Sequence, residues 1–161
     1  MAKTNEPAID IGLDDAAREK AAGILSTVLA DTFTAYLKVH NYHWNVTGPQ
    51  FRQLHSVFDE QYTELHDSVD EIAERIRVLG YKAPGSLAAF AKLTSIGEAA
   101  EGATPDEMVR DVLATHETLV RNFRKAESEL GDLGDTASAD MVVGRIAASE
   151  KAAWMLRASL A

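Results

Sequence analysis

Apolar residues recur every three or four positions along four long stretches of the chain, and no stretch alternates between apolar and polar residues as a strand does. In the first stretch the recurring positions include Leu25, Leu29, Phe33 and Leu37. This spacing places side chains on one face of an α-helix. The pattern therefore predicts an all-α protein with four long helices.

Capping residues and breakers give the ends of the first two predicted helices. The first begins at Asp14 or Asp15 and runs to about Asn45. After the breaker Thr47-Gly48-Pro49, the second covers residues 50–79, and Gly80 is its predicted C-cap. On this helix an apolar arc that begins at Phe51 is expected to face the core.

The second half of the chain predicts two more long helices after a long connector. The connector, from Gly80 to Pro105, predicts a crossover along a bundle, with a small helix at residues 87–93. Thr104 and Glu107 form a capping box around Pro105, and this third helix runs to about Leu130. After a turn at residues 131–135, the fourth runs from about residue 138 to 160.

Size and composition indicate one soluble domain. The chain has 161 residues, which suits a single domain over residues 1–161, with residues 1–13 as a short N-terminal extension. It has no apolar run of the roughly 18 residues that span a bilayer, and its N-terminus lacks the features of a signal peptide. We therefore expect a cytoplasmic protein without a membrane partner. Because cysteine is absent, a bound metal must rest on His, Asp and Glu.

The charge balance argues against nucleic acid as the main partner. Lys and Arg number 16 against 25 Asp and Glu, and the formal net charge is −9. The N-terminal segment carries Lys3 against Glu6 and Asp10. A polyanion is repelled by such a surface, so we expect no appreciable DNA binding at neutral pH and moderate salt.

Four potential metal ligands share one face of the second predicted helix. His55 and Asp59 are four residues apart, as are Asp70 and Glu74, so each pair can hold one ion. With His55 at zero and about 100° per residue, the other three fall near ~40°, ~60° and ~100°. Acidic residues with this spacing also occur on helix faces that simply contact solvent. Two such pairs on one helix face favour metal binding more strongly than a single pair does.

The distance between the pairs points to a site shared by two subunits. Their centres lie fifteen residues apart, which is roughly 22 Å along a straight helix. One helix therefore cannot bring both pairs to one ion. Two copies packed antiparallel across a two-fold axis would form two identical sites, with His66 close to the axis. Imidazole and carboxylate donors without sulfur suit Fe(II), Mn or Zn, and redox-active iron is the candidate of most interest.

His43 and Trp44, at the end of the first predicted helix, extend this constellation. His43 could supply a second imidazole, and Trp44 could shield the site. A histidine at a helix end is more often a structural residue than a ligand, so the sequence leaves both readings of His43 open.

The order of these residues resembles the Dps family, the mini-ferritins. The family has His-Trp at the end of the first helix, then a His, an Asp, a second Asp and a Glu on the next helix. The same order is formed here by His43-Trp44, His55, Asp59, Asp70 and Glu74. The likeness extends over nearly the whole chain and includes the C-terminal segment around Trp154.

The resemblance implies a ferritin-like four-helix bundle that assembles into a hollow homo-dodecamer. By this likeness, Fe(II) is oxidised preferentially by hydrogen peroxide at sites between subunits, and Fe(III) is stored as mineral, which protects against oxidative damage. The implied ligands are His43, His55, Asp59, Asp70 and Glu74, and Zn or Mn could replace iron. Acidic residues near the last turn resemble a pore lining.

The resemblance suggests further roles and leaves two rival functions open. Trp44 is a candidate radical trap, and Asp135 and Asp140 are candidate pore residues. One rival is a DNA-compacting nucleoid protein, against which the missing basic tail counts. The other is an oligomeric scaffold that binds Zn without turnover, and the same ligands would serve it.

Overall fold

Five helices account for most of the chain in the computed structural model, which describes residues 2–4 and 8–161. The helices are α1 (Asp15–Asn45), α2 (Phe51–Val78), α3 (Leu87–Leu93), α4 (Pro105–Asp132) and α5 (Thr136–Ser159). The described residues form no strand, only an isolated bridge between Lys3 and Tyr81. None of the described helices carries an apolar stretch that could cross a bilayer.

The helices begin where the local chemistry caps them. The Asp14 carboxylate accepts a hydrogen bond from the backbone N–H of Ala17 at 2.7 Å, so α1 starts at Asp15. The predicted capping box of Thr104 and Glu107 is present at the start of α4. α5 begins two residues earlier than predicted, because Asp135 is its N-cap.

The bundle consists of two hairpins joined by the crossover. α1 packs along α2 and α4 packs along α5, while α1 and α4 bring the hairpins together and α3 lies against α1. This confirms the predicted all-α, four-helix architecture with a short crossover helix. Phe51 corrects one detail, because it lies at the first turn of α2 and is 42% exposed instead of facing the core.

A buried carboxylate fastens the crossover to the bundle. Asp31 on α1 is 1% exposed and accepts hydrogen bonds from the backbone N–H of Ser95 at 2.7 Å and the side chain of Asn122 at 2.8 Å. The Thr94 hydroxyl also donates to it, at 3.0 Å. These bonds join α1, the crossover and α4, and satisfy a charge that would be costly to bury alone.

The end of α2 is held close to the N-terminal segment. Gly80 has a φ of 91°, and an ideal Cβ built there would lie 2.5 Å from Cδ1 of Ile9. The backbone N–H of Thr4 donates to the Gly80 carbonyl at 3.1 Å, and that of Lys82 donates to the Ala2 carbonyl at 3.0 Å. Only glycine combines this backbone conformation with so close a neighbour.

Candidate metal centre

Two histidines contact each other where α1 ends and α2 begins. Nδ1 of His43 lies 2.9 Å from the carbonyl oxygen of His55, and Nδ1 of His55 lies 2.9 Å from the carbonyl oxygen of His43. The rings stack with centroids 3.7 Å apart. Because a carbonyl oxygen only accepts, each Nδ1 donates its proton, which leaves the lone pair of each neutral ring on Nε2. Metal-binding histidines are commonly oriented in this way.

Asp59 adds a carboxylate to this pair of rings. Nε2 of His43 lies 3.9 Å from Oδ1 of Asp59. Two ligands that each lie about 2.1 Å from an ion are at most ~4.2 Å apart, so the two atoms can share one ion. We call His43, His55 and Asp59 the half-site. Its two imidazoles and one oxygen donor fit Fe(II) chemically.

Asp70 and Glu74 lie elsewhere on the same helix, and both are exposed. Asp70 is eleven residues beyond Asp59, or about 16 Å along α2. In the part of the chain that the structure describes, no three His, Asp or Glu side chains could enclose an ion by themselves. One chain thus presents the five predicted ligands as two separate groups, with His43 on α1 and the other four on α2.

An aromatic stack covers one side of the half-site. The Tyr62 ring lies on the His40 ring with centroids 4.0 Å apart and 14° between the planes, and His40 contacts Trp44 at 4.1 Å. Burial lowers the pKa of His40, and the neighbouring His43 lowers it further. Neither Tyr62 nor His40 was predicted to belong to the site. Their spacing gives a signal, since each is three residues from a predicted ligand on the same helix.

Trp44 and His66 are both accessible in the single chain. Trp44 is 61% exposed, and its ring contacts that of His40 at 38° between the planes. The His66 side chain is 65% exposed, and its ring lies 5.2 Å from that of Tyr36. The role of Trp44 as a radical trap and the position of His66 near a two-fold axis stay predictions.

Asp135, one of the two predicted pore residues, is buried in the single chain. It is 2% exposed, caps α5 by accepting from the backbone N–H of Ser138, and accepts from the Arg75 guanidinium at 2.6 Å. The pore roles of Asp135 and of the exposed Asp140 stay predictions.

Similarity to known proteins shows the family of this chain. The family model of the ferritin-like domain matches residues 22–161. DNA protection during starvation protein 2 of Bacillus anthracis is 38% identical over 137 residues, which cover 85% of this chain and 94% of that protein. The chain belongs to the Dps family of ferritin-like proteins. Its predicted family membership is thereby confirmed.

Solved Dps structures share the whole fold. The crystal structure of a Dps protein from Bacillus brevis is 37% identical, covers 91% of this chain and 98% of its own, and gives a TM-score of 0.88. The Dps protein from Vibrio cholerae is 30% identical, covers 98% and 100%, and gives a TM-score of 0.90. The latter is described as a member of a superfamily of ferritin-like diiron-carboxylate proteins. The Dps fold thus extends over nearly the full length of this chain, which is consistent with iron storage and oxidative protection.

Proposed function

We propose that this Dps-family protein stores iron and oxidises Fe(II) at sites that two subunits share. His43, His55 and Asp59 of one subunit bind the ion together with the partner's Asp70 and the partner's Glu74. The observation that carries the proposal is the reciprocal hydrogen bonding of the two histidines, which directs both Nε2 lone pairs away from the protein backbone.

The shape of α2 supports a shared site. It runs without interruption from Phe51 to Val78, so the His55/Asp59 pair and the Asp70/Glu74 pair keep a separation of roughly 22 Å between their centres. An antiparallel copy of the helix places each half-site opposite the other subunit's carboxylates. A two-fold axis then creates two equivalent sites.

The reaction requires no acid or base from the protein beyond the ligands. Two Fe(II) ions give one electron each to hydrogen peroxide, which takes up two protons and forms two water molecules. Because both electrons reach the same peroxide, its O–O bond breaks without release of hydroxyl radical. We propose hydrogen peroxide as the preferred oxidant and mineral in a homo-dodecameric, cytoplasmic shell as the fate of Fe(III).

Electrostatics favour iron over DNA as the partner. At −9 per subunit, twelve subunits carry about −108 before iron enters. Exposed Asp140 is the residue we propose for attracting Fe(II) to a pore. A scaffold that binds Zn or Mn without turnover is the second candidate, because the same donors accept these ions.

Stopped-flow absorbance of Fe(III) formation tests the proposal. Wild type is mixed with Fe(II) and peroxide, or with Fe(II) and dioxygen, and compared with a D70A/E74A variant. A matched E98A/E101A variant removes two exposed carboxylates on the crossover. We expect rapid oxidation, faster with peroxide, in wild type and in the crossover variant, and its loss in D70A/E74A. Rates no higher than that of buffer in all three proteins would leave the Zn or Mn scaffold, whereas equal rapid rates would mean that oxidation does not depend on Asp70 and Glu74.

A further inference from the structure

A hydroxyl group outside the five predicted ligands contacts the half-site. Oη of Tyr62 donates a hydrogen bond to Oδ1 of Asp59 at 2.8 Å. This is the same oxygen that lies 3.9 Å from Nε2 of His43. The Tyr62 and His43 rings also meet in a T-shaped arrangement, with centroids 5.0 Å apart and 70° between the planes. One side chain thus contacts both Asp59 and His43, the two residues that could share an ion.

The Tyr62 ring is itself held from α1. It stacks on His40, whose ring also contacts Trp44. Because His40 and His43 belong to the same helix, α1 determines the positions of both the His43 imidazole and the Tyr62 ring. A tyrosine hydroxyl ordinarily has a pKa of about 10, so it keeps its proton and remains a donor at neutral pH.

We infer that Tyr62 is a positioning residue for iron binding. Its hydroxyl holds the Asp59 carboxylate in its ligating orientation before the ion arrives. The inference rests on the proposed function, in which Asp59 is a ligand. The Asp59 side chain is 53% exposed, so without the hydroxyl it would move among several rotamers. Binding would then have to order it. Groups that orient metal ligands typically change affinity by 10- to 100-fold when they are removed.

Titration with Co(II) without oxidant tests this role, because Co(II) takes the same donors and is followed by its visible absorbance. Y62F removes only the hydroxyl and keeps the ring that stacks on His40. Y36F is the matched control, since it removes a hydroxyl from the same aromatic group that contacts His40 and not Asp59. A second pair, D59A and D59A/Y62F, shows whether the hydroxyl acts through Asp59.

We expect Y62F to weaken Co(II) binding about tenfold and Y36F to leave it unchanged. Fe(II) oxidation by Y62F should be slower when Fe(II) is limiting and should approach the wild-type maximum when Fe(II) is in excess. D59A and D59A/Y62F should bind Co(II) equally. Melting curves of Y62F and Y36F show whether either loses stability, which alone would not alter Co(II) affinity at a folded site.

Two results would overturn the inference alone: wild-type Co(II) affinity in Y62F, or the same loss from Y62F in the D59A background. A different result would overturn the proposed function as well. If wild type and D70A/E74A bind Co(II) equally, the shared site does not exist and Tyr62 has no ligand to position.

Discussion

Complementation between two inactive variants provides the sharpest test of a shared site. In H55A/D59A the half-site loses two ligands, whereas in D70A/E74A the carboxylate pair is lost. Each variant alone has two incomplete sites in every dimer. In a mixed dimer, the intact half-site of D70A/E74A meets the intact carboxylates of H55A/D59A, so one of the two sites recovers all five ligands.

Symmetry gives the magnitude. Random pairing of equal amounts makes about half of the dimers mixed, and each mixed dimer has one complete site, so about a quarter of all sites are restored. The separation of roughly 22 Å between the ligand pairs on α2 prevents one chain from restoring a site by itself. The expected rate of Fe(II) oxidation is therefore about a quarter of the wild-type rate per subunit.

The assay is co-expression of the two variants with different affinity tags, two-step purification of mixed assemblies, and stopped-flow measurement of Fe(III) formation. Assemblies of each variant alone are the controls and should be slow. A mixed assembly as slow as its parents would refute the reasoning, because it would mean that all ligands of a site come from one chain.

Three other predictions concern the fold and its charge. His116 is 2% exposed, and burial lowers its pKa to about 4. As the pH falls below about 6.5, this histidine is protonated in the unfolded chain before it is protonated in the folded one. Its contribution to the free energy of unfolding is therefore complete above about pH 6.5 and falls by about 3 kcal/mol towards pH 4. Urea unfolding at both pH values should show a smaller fall in H116L, and identical falls would contradict this role. G80A should lower the free energy of unfolding by about 1–3 kcal/mol, with partial recovery in I9A/G80A, where the nearest side chain is shortened. Gel-shift assays at pH 7 and moderate salt should show no DNA complex, and retention that weakens with added salt would favour the nucleoid reading.

Local patterns in the sequence were sufficient for the fold. The helix starts at Asp14 and Thr104 follow from capping chemistry, which acts over three or four residues. Helical spacing also placed Asp59, Asp70 and Glu74 on one helix. The end of the predicted fourth helix and the crossover helix were within a residue or two of their positions in the structure.

Contacts between residues that are far apart in the sequence could not be predicted from such local patterns. The reciprocal bonds of His43 and His55 depend on the angle at which α1 meets α2. Asp135 looked like an exposed turn residue, because nothing local shows that Arg75, sixty residues earlier, reaches it. Asp31 likewise meets Asn122 across a separation of 91 residues. Only the tertiary packing determines these partners.

The two hydrogen bonds between His43 and His55 form only if the connection between α1 and α2 has the right length. Each ring is tied to the backbone of the other residue, so the twelve-residue separation works as a fixed register. Gly48, with a φ of 95°, lies within that connection. One residue added to the first turn of α2 would turn the rest of that helix by about 100° relative to α1 and separate both rings from their acceptors. The start of α2 is therefore constrained in length by the two histidines.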